Sequence, residues 1–185
     1  MVIIGITGTF GAGKGAIVDY LVRKKGFTHY SMRQFLTAEL VKLGRPTKRE
    51  DMLDLANELR REHGPGYLVE RILAEVLAKG DHAIIESIRC VGEIDALKKA
   101  PKTVVIAVDA DAKKRYQRIQ KRKSSTDHIS FEKFVEDERR ESVSDEPWAL
   151  NLKKCRERAE FIIENNAGLS DLYNQIDSLL EKLNL

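Results

Sequence analysis

Continuous apolar runs and helically spaced apolar positions alternate along this chain. VIIGIT (Val2 to Thr7) is short, β-branched and apolar, as in a strand buried on both faces. Beyond a glycine-rich stretch, Ile17, Val18, Leu21 and Val22 recur at helical spacing, and FTHYS (27–31) supplies a second short strand. Helical patterns follow at 32–43, 48–63 and 66–79, separated by the breakers GRPT and HGPG. HAIIES (82–87), TVVIAVD (103–109) and EFIIEN (160–165) read as further buried strands. Near the end, Leu169, Leu172, Ile176, Leu179, Leu180 and Leu183 fall on one helical stripe. Strands alternating with helices predict an α/β fold, a three-layer α/β/α domain with a five-stranded parallel sheet and the first strand central. The helical stretch 32–79 is too long for a simple crossover and predicts an insertion that caps a substrate. No repeat, low-complexity tract or linker divides the chain, so 1–185 reads as a single domain.

Composition narrows the class only a little. The chain has 185 residues and a net charge of +3, which neither demands nor excludes a polyanionic partner. Cys90 and Cys155 are far apart and form no CxxC pair, which fits a reducing compartment and suggests no metal site. The apolar N-terminus lacks a basic start and breaks at its glycines, so no signal peptide is expected. No apolar stretch approaches the roughly 20 residues that span a bilayer. A cytoplasmic protein without a membrane partner is the expectation. The four histidines, His29, His63, His82 and His128, show no ligand spacing, and no Ser/His/Asp or Cys/His set is readable.

The chemistry begins at GTFGAGKG, Gly8 to Gly15. Gly8-x-x-x-x-Gly13-Lys14 has the Walker A spacing and stands in the required strand–loop–helix context. Its glycines let backbone N–H groups turn toward phosphate oxygens, and the following helix adds its positive end. Gly8, Gly11, Ala12, Gly13, Lys14, Gly15 and Ala16 are therefore candidate nucleotide-binding residues, with Lys14 aimed at the transferred phosphate. Most such loops place Ser or Thr directly after the lysine to hold magnesium. Here Gly15 and Ala16 offer no hydroxyl. In its GKG the loop resembles that of adenylate-kinase-like enzymes, where magnesium is held mostly by phosphates and water.

Further segments extend that resemblance to the P-loop small-molecule kinases and imply a P-loop NTPase fold using ATP and Mg2+. IIESIR (Ile84 to Arg89) resembles the hhhDGxxR stretch of nucleoside monophosphate kinases. The likeness implies that Glu86 serves magnesium and that Arg89 grips the acceptor's phosphate. RYQRIQKRKSSTD (Arg115 to Asp127) resembles their hinge and lid, implying a short lid at about 118–142 and phosphate contacts from Arg118 and Arg122, which share a helix face. Arg140, in the helix after the lid, would return to the phosphates. Seven of the eleven residues from Lys113 to Lys123 are basic. A solvated helix explains such a run equally simply. A nucleic-acid surface lacks support, because no aromatic residue beyond Tyr116 is interleaved.

YSMRQFL resembles the opening of the monophosphate-binding region, which brings in Ser31 and Arg33, although Arg33 stands where glycine is usual there. ANELRREHG (Ala56 to Gly64) resembles archaeal small kinase-like proteins close to dephospho-coenzyme A kinase and adenylate kinase, and implies a second phosphate grip at Arg60. ENNAGLSDL (Glu164 to Leu172) resembles the loop that touches adenine, here near Ala167.

The implied reaction is transfer of the ATP γ-phosphoryl group to a small phosphate acceptor, a nucleoside or deoxynucleoside monophosphate, by a monomer or homodimer. A dephospho-coenzyme A kinase is the alternative. It phosphorylates an alcohol and gains from a base, and no carboxylate follows the second strand until Glu39. A non-catalytic ATP-binding switch or adaptor is the other alternative.

Overall fold

A computed structural model describes residues 1–122 and 129–185, for Arg122 the backbone alone. Among these residues five parallel strands form one sheet in the order β2-β3-β1-β4-β5. The strands are β1 (Ile3–Gly8), β2 (Thr28–Ser31), β3 (Ala83–Ile88), β4 (Thr103–Asp109) and β5 (Phe161–Glu164). The helices are α1 (Lys14–Lys25), α2 (Met32–Lys42), α3 (Arg49–His63), α4 (Tyr67–Lys79), α5 (Val91–Leu97), α6 (Ala112–Arg122), α7 (Phe131–Ser142), α8 (Leu152–Glu157) and α9 (Leu169–Lys182). The expected parallel sheet with a central first strand is what forms, and α2, α3 and α4 fall where 32–79 predicted helix.

The alternation of side chains across β1 explains why its run is unbroken. Ile3 enters one core with Ile85, Val105 and the inner faces of α2, α3, α4, α5 and α8. Ile4 and Ile6 enter the other, with Ile84, Ile106, Val108, α1 and α9. A central strand covered on both faces must be apolar at both phases. Helix α4 buries Leu68, Val69, Ile72, Leu73 and Val76 in the first core and so provides a covering layer for the sheet. In α9 Leu172, Ile176, Leu179 and Leu180 are buried as the stripe predicts, whereas Leu169 is exposed.

Among the described residues no helix is long and apolar enough to cross a membrane. Cys90 and Cys155 are both free and buried.

Candidate active site

The glycine-rich loop joins β1 to α1 at the carboxyl end of the sheet, where open α/β folds bind ligands. Gly13 has φ 108° and caps α1 without any side-chain bond to the first-turn amides. A Cβ there would collide with the side-chain amide of Asn165, and one on Gly8 (φ 144°) with the carbonyl oxygen of Val108. Left-handed backbone and close approach together leave only glycine at these two points. Lys14 Nζ donates to the carbonyl oxygens of Gly8 at 2.8 Å and Thr9 at 3.0 Å, so its ammonium lies over the loop. Ala12 is fully buried and Ala16 packs against the second core. Gly15 is different. It is exposed, and a Cβ built on it meets nothing within 4 Å. The missing hydroxyl is therefore not imposed by packing.

The loop is held from behind by Arg118, a candidate from the sequence, and by Asn165, Asp109, Arg115 and Glu138, which the sequence patterns did not single out. Asn165, just beyond β5, is buried, and its Nδ2 donates to the carbonyl oxygen of Ala12 at 2.8 Å. Arg118 Nη2 donates to the backbone oxygen of Asn165 at 2.8 Å. Arg118 Nη1 is buried and has no hydrogen-bond partner among the described residues. Thr9 Oγ1 donates to Asp109 at 3.2 Å, at the end of β4. Arg115 is buried, donates to the Ala110 carbonyl at 2.7 Å and pairs with Glu138 at 2.8 Å, which ties α6 to α7 behind the loop.

At the end of β3 the ladder with β1 slips: Ile6 faces Glu86, and Thr7 faces Ile88. Ser87 is the extra residue and takes a left-handed φ of 74°. Such bulges re-aim side chains at strand ends, and a serine in that conformation is strained. Glu86 lies beside Ser31 in register, with one oxygen 3.0 Å from the Ser87 hydroxyl and the other 3.5 Å from Nε2 of His29. Burial opposes its charge, but His29, the charge of Lys14 and the Ser87 hydroxyl outweigh it and hold the carboxyl below its usual range. An ionised carboxylate thus lies within electrostatic reach of the loop lysine.

Arg89 and Arg60 meet different fates. Arg89 Nη1 pairs with Glu141 of α7 at 2.7 Å, and Glu141 also accepts from Arg49 at the start of α3. Arg60 is 2% exposed and gives Nε and Nη2 to Glu93 Oε1 at 2.9 and 2.7 Å. The other oxygen of Glu93 accepts from the backbone N–H groups of Arg89 and Cys90 at 2.8 and 3.1 Å. Arg60 thus lies behind Arg89 as a support for its backbone, with its guanidinium turned to Glu93 and not free for the second phosphate grip that the resemblance implies.

The remaining expected residues scatter. Ser31 caps α2, its Oγ accepting from the Gln34 amide, and Arg33 is exposed on the first turn. Arg140 faces solvent, paired with Glu136 at 2.6 Å, because the inward face of α7 carries Phe134, Glu138 and Glu141. Ala167 is exposed in the loop between Asn165 and α9. The expected lid comprises the end of α6 and all of α7, while 123–128 and the Arg122 side chain lie outside the described residues.

A nucleotide triphosphate fits this arrangement. The N-terminal end of α1, the Lys14 ammonium over the loop and the buried Nη1 of Arg118, which has no partner among the described residues, are suited to an anion. Magnesium fits in the weaker sense that it needs one or two carboxylates plus substrate phosphates. Glu86 is ionised, and no group of three or more His, Cys, Asp or Glu suited to a metal occurs among the described residues.

Fold and loop together define a nucleotide-binding P-loop domain with a kinase-like architecture. The chain belongs to the AAA domain family, which it matches over residues 4–146. It is 30% identical over 189 residues to a UPF0200 protein of Thermococcus sibiricus, covering 99% of this chain and 96% of that one. The crystal structure of TT1252 from Thermus thermophilus resembles it with a TM-score of 0.62 at 24% identity, over 98% of this chain and 97% of that one. A shikimate kinase from Bacteroides thetaiotaomicron gives a TM-score of 0.61 at 14% identity, over 100% of this chain and 99% of that one. At those identities the solved structures speak for the fold alone.

Proposed function

We propose that this protein is an ATP-dependent phosphotransferase acting on a small-molecule acceptor, a nucleoside or deoxynucleoside monophosphate. One observation carries the reading. A glycine loop, Lys14 and an ionised Glu86 held partly by the charge of Lys14 share the carboxyl edge of the sheet, and Asn165 links Arg118 to the same loop. Phosphoryl transfer needs little covalent help from a protein. It needs positioning, and neutralisation of charge on the equatorial oxygens. Here an acceptor oxygen attacks the γ-phosphorus and ADP leaves. Lys14 neutralises the transferring group, Arg118 supplies a second cation, and the loop amides hold the phosphates in place. Glu86, with the ATP phosphates, would hold Mg2+, which would supply further neutralisation of phosphate charge. Arg89, one residue past β3, is the cation offered to the acceptor.

A second reading has a hydroxyl acceptor, as in dephospho-coenzyme A kinase. The placement of Glu86 at the carboxyl end of β3, beside Ser31 in register, favours it, because a carboxylate there can take the proton of an attacking alcohol.

The test is coupled ADP release over ribo- and deoxyribonucleoside monophosphates, dephospho-coenzyme A and shikimate. Acceleration by a monophosphate is expected. Acceleration only by an alcohol selects the second reading, and acceleration by none leaves an ATP-binding switch. Lys14→Met is expected to abolish nearly all turnover, since a charge-assisted contact to the developing anion carries about 3–4 kcal/mol.

A further inference from the structure

Arg49 and Arg89 reach one carboxylate from different parts of the molecule. Arg89 follows β3 and Arg49 opens α3 in the helical insertion, whereas Glu141 comes from α7. The ring of Phe10, itself a phosphate-loop residue, lies 5.2 Å from the Arg49 guanidinium. Phe10, Arg49, Phe134, Glu141 and Leu152 line one cleft there. Two guanidinium groups on a single carboxylate leave one positive charge in excess, while a phosphate dianion would match both. Planar guanidinium forks suit phosphate oxygens as well as carboxylate oxygens. The other carboxylates of the cleft are already neutralised, Asp137 by Lys133 at 2.8 Å and Glu138 by Arg115 at 2.8 Å. The Arg89 backbone is fixed by Glu93 on one side and by the Asn151 amide, 2.9 Å from its carbonyl, on the other. Only side chains then have to move for Glu141 to leave and another anion to enter.

We propose that Glu141 stands in for the acceptor's anionic group, and that Arg49 and Arg89 together form the subsite which takes that group when Glu141 withdraws. The proposal rests on the phosphotransferase reading above. It adds Arg49 as a specificity-determining residue and makes Glu141 an internal competitor. A neutral acceptor has nothing with which to displace Glu141, so the device selects for an acceptor bearing a phosphate. It also couples acceptor binding to α7: the incoming anion releases the tie that α7 makes to α3 and to the end of β3.

The test uses the full chain with the phosphate loop saturated by a non-hydrolysable ATP analogue and magnesium, and inorganic phosphate as the probe. Calorimetry measures phosphate binding to the wild type, Glu141→Gln, and Glu141→Gln combined with Arg49→Gln. Removing the internal competitor is expected to tighten phosphate binding at least about tenfold, and removing Arg49 as well is expected to undo the gain. Should Glu141→Gln fail to fold, Glu141→Asp keeps the charge but withdraws it from the guanidiniums, and it is also expected to bind phosphate more tightly than wild type. Unchanged or weaker phosphate binding in the folded Glu141 variant overturns the proposal, as does a gain that survives loss of Arg49. Failure of the ATP analogue itself to bind overturns the phosphotransferase reading instead, and that titration comes first.

Discussion

The side-chain amide of Asn165 donates to the carbonyl oxygen of Ala12 at 2.8 Å across a sequence separation of 153 residues. This bond fixes the phosphate loop to the loop after β5, and Arg118 completes it by donating to the Asn165 backbone. Asn165→Ala leaves a buried carbonyl without its donor, a loss of about 1–3 kcal/mol in stability. The same change loosens the loop, so ATP affinity is expected to fall about tenfold, a further 1.4 kcal/mol or so. Denaturant unfolding and nucleotide titration check the two parts. Wild-type ATP affinity in the folded variant would show that Asn165 supports the fold without positioning the loop.

Gly15 faces open space. Gly15→Ser is expected to fold normally, because its Cβ meets nothing and serine suits the first turn of a helix better than glycine. The new hydroxyl stands directly after Lys14, where other phosphate loops hold magnesium. The Mg2+ concentration needed for half-maximal ADP release is expected to drop. An unchanged Mg2+ dependence would mean that the ion never approaches this turn and is held on the Glu86 side alone.

Arg60 and Glu93 form a buried pair, 2% and 0% exposed. Breaking such a pair from one side strands a charge and costs about 3–5 kcal/mol. Arg60→Met is therefore expected to lower stability by that order in denaturant unfolding, and pairing it with Glu93→Gln, which removes the stranded charge and keeps an oxygen for the Arg89 and Cys90 amides, to recover part of the loss. A stable Arg60→Met with only a raised acceptor KM would return Arg60 to the role of phosphate grip.

The contrast between Arg60 and Lys14 shows what one sequence makes legible. The strand runs, the helices at 32–79 and the loop ending in Lys14 are local patterns, each contained within a few turns or one strand. The partners of the site are not local. Asn165 with Ala12, Arg89 with Glu141 and Arg115 with Glu138 are chosen by tertiary packing. Some signal was available even so. In α7, Phe134, Glu138 and Glu141 lie four and three residues apart on one face, and Arg140 lies off that face. Phase from the buried Phe134 points Glu141 inward and Arg140 outward. The same count in α3 aligns Arg60 with the buried Ala56. Helices α5 and α8, seven and six residues long, are too short for a period to declare itself.

Glu86 ties the electrostatics of the site to pH. Burial disfavours its charge, but His29, Lys14 and Ser87 together keep its carboxyl below the ordinary range. A carboxyl whose folded value is depressed contributes stability above its unfolded value, near ~4.3, and loses it as pH falls through the folded value. The stability difference between wild type and Glu86→Gln is therefore expected to favour wild type at pH 6–7 and to shrink as pH falls below about 4. Carbon-13 NMR of the Glu86 carboxyl reads the same balance directly. Its midpoint is expected below that of an unperturbed glutamate, and Lys14→Met, by removing one of the groups that favour the charge, is expected to move it upward. A midpoint at or above the ordinary value, or one indifferent to Lys14, would separate Glu86 from the phosphate loop and leave the magnesium role without its electrostatic basis.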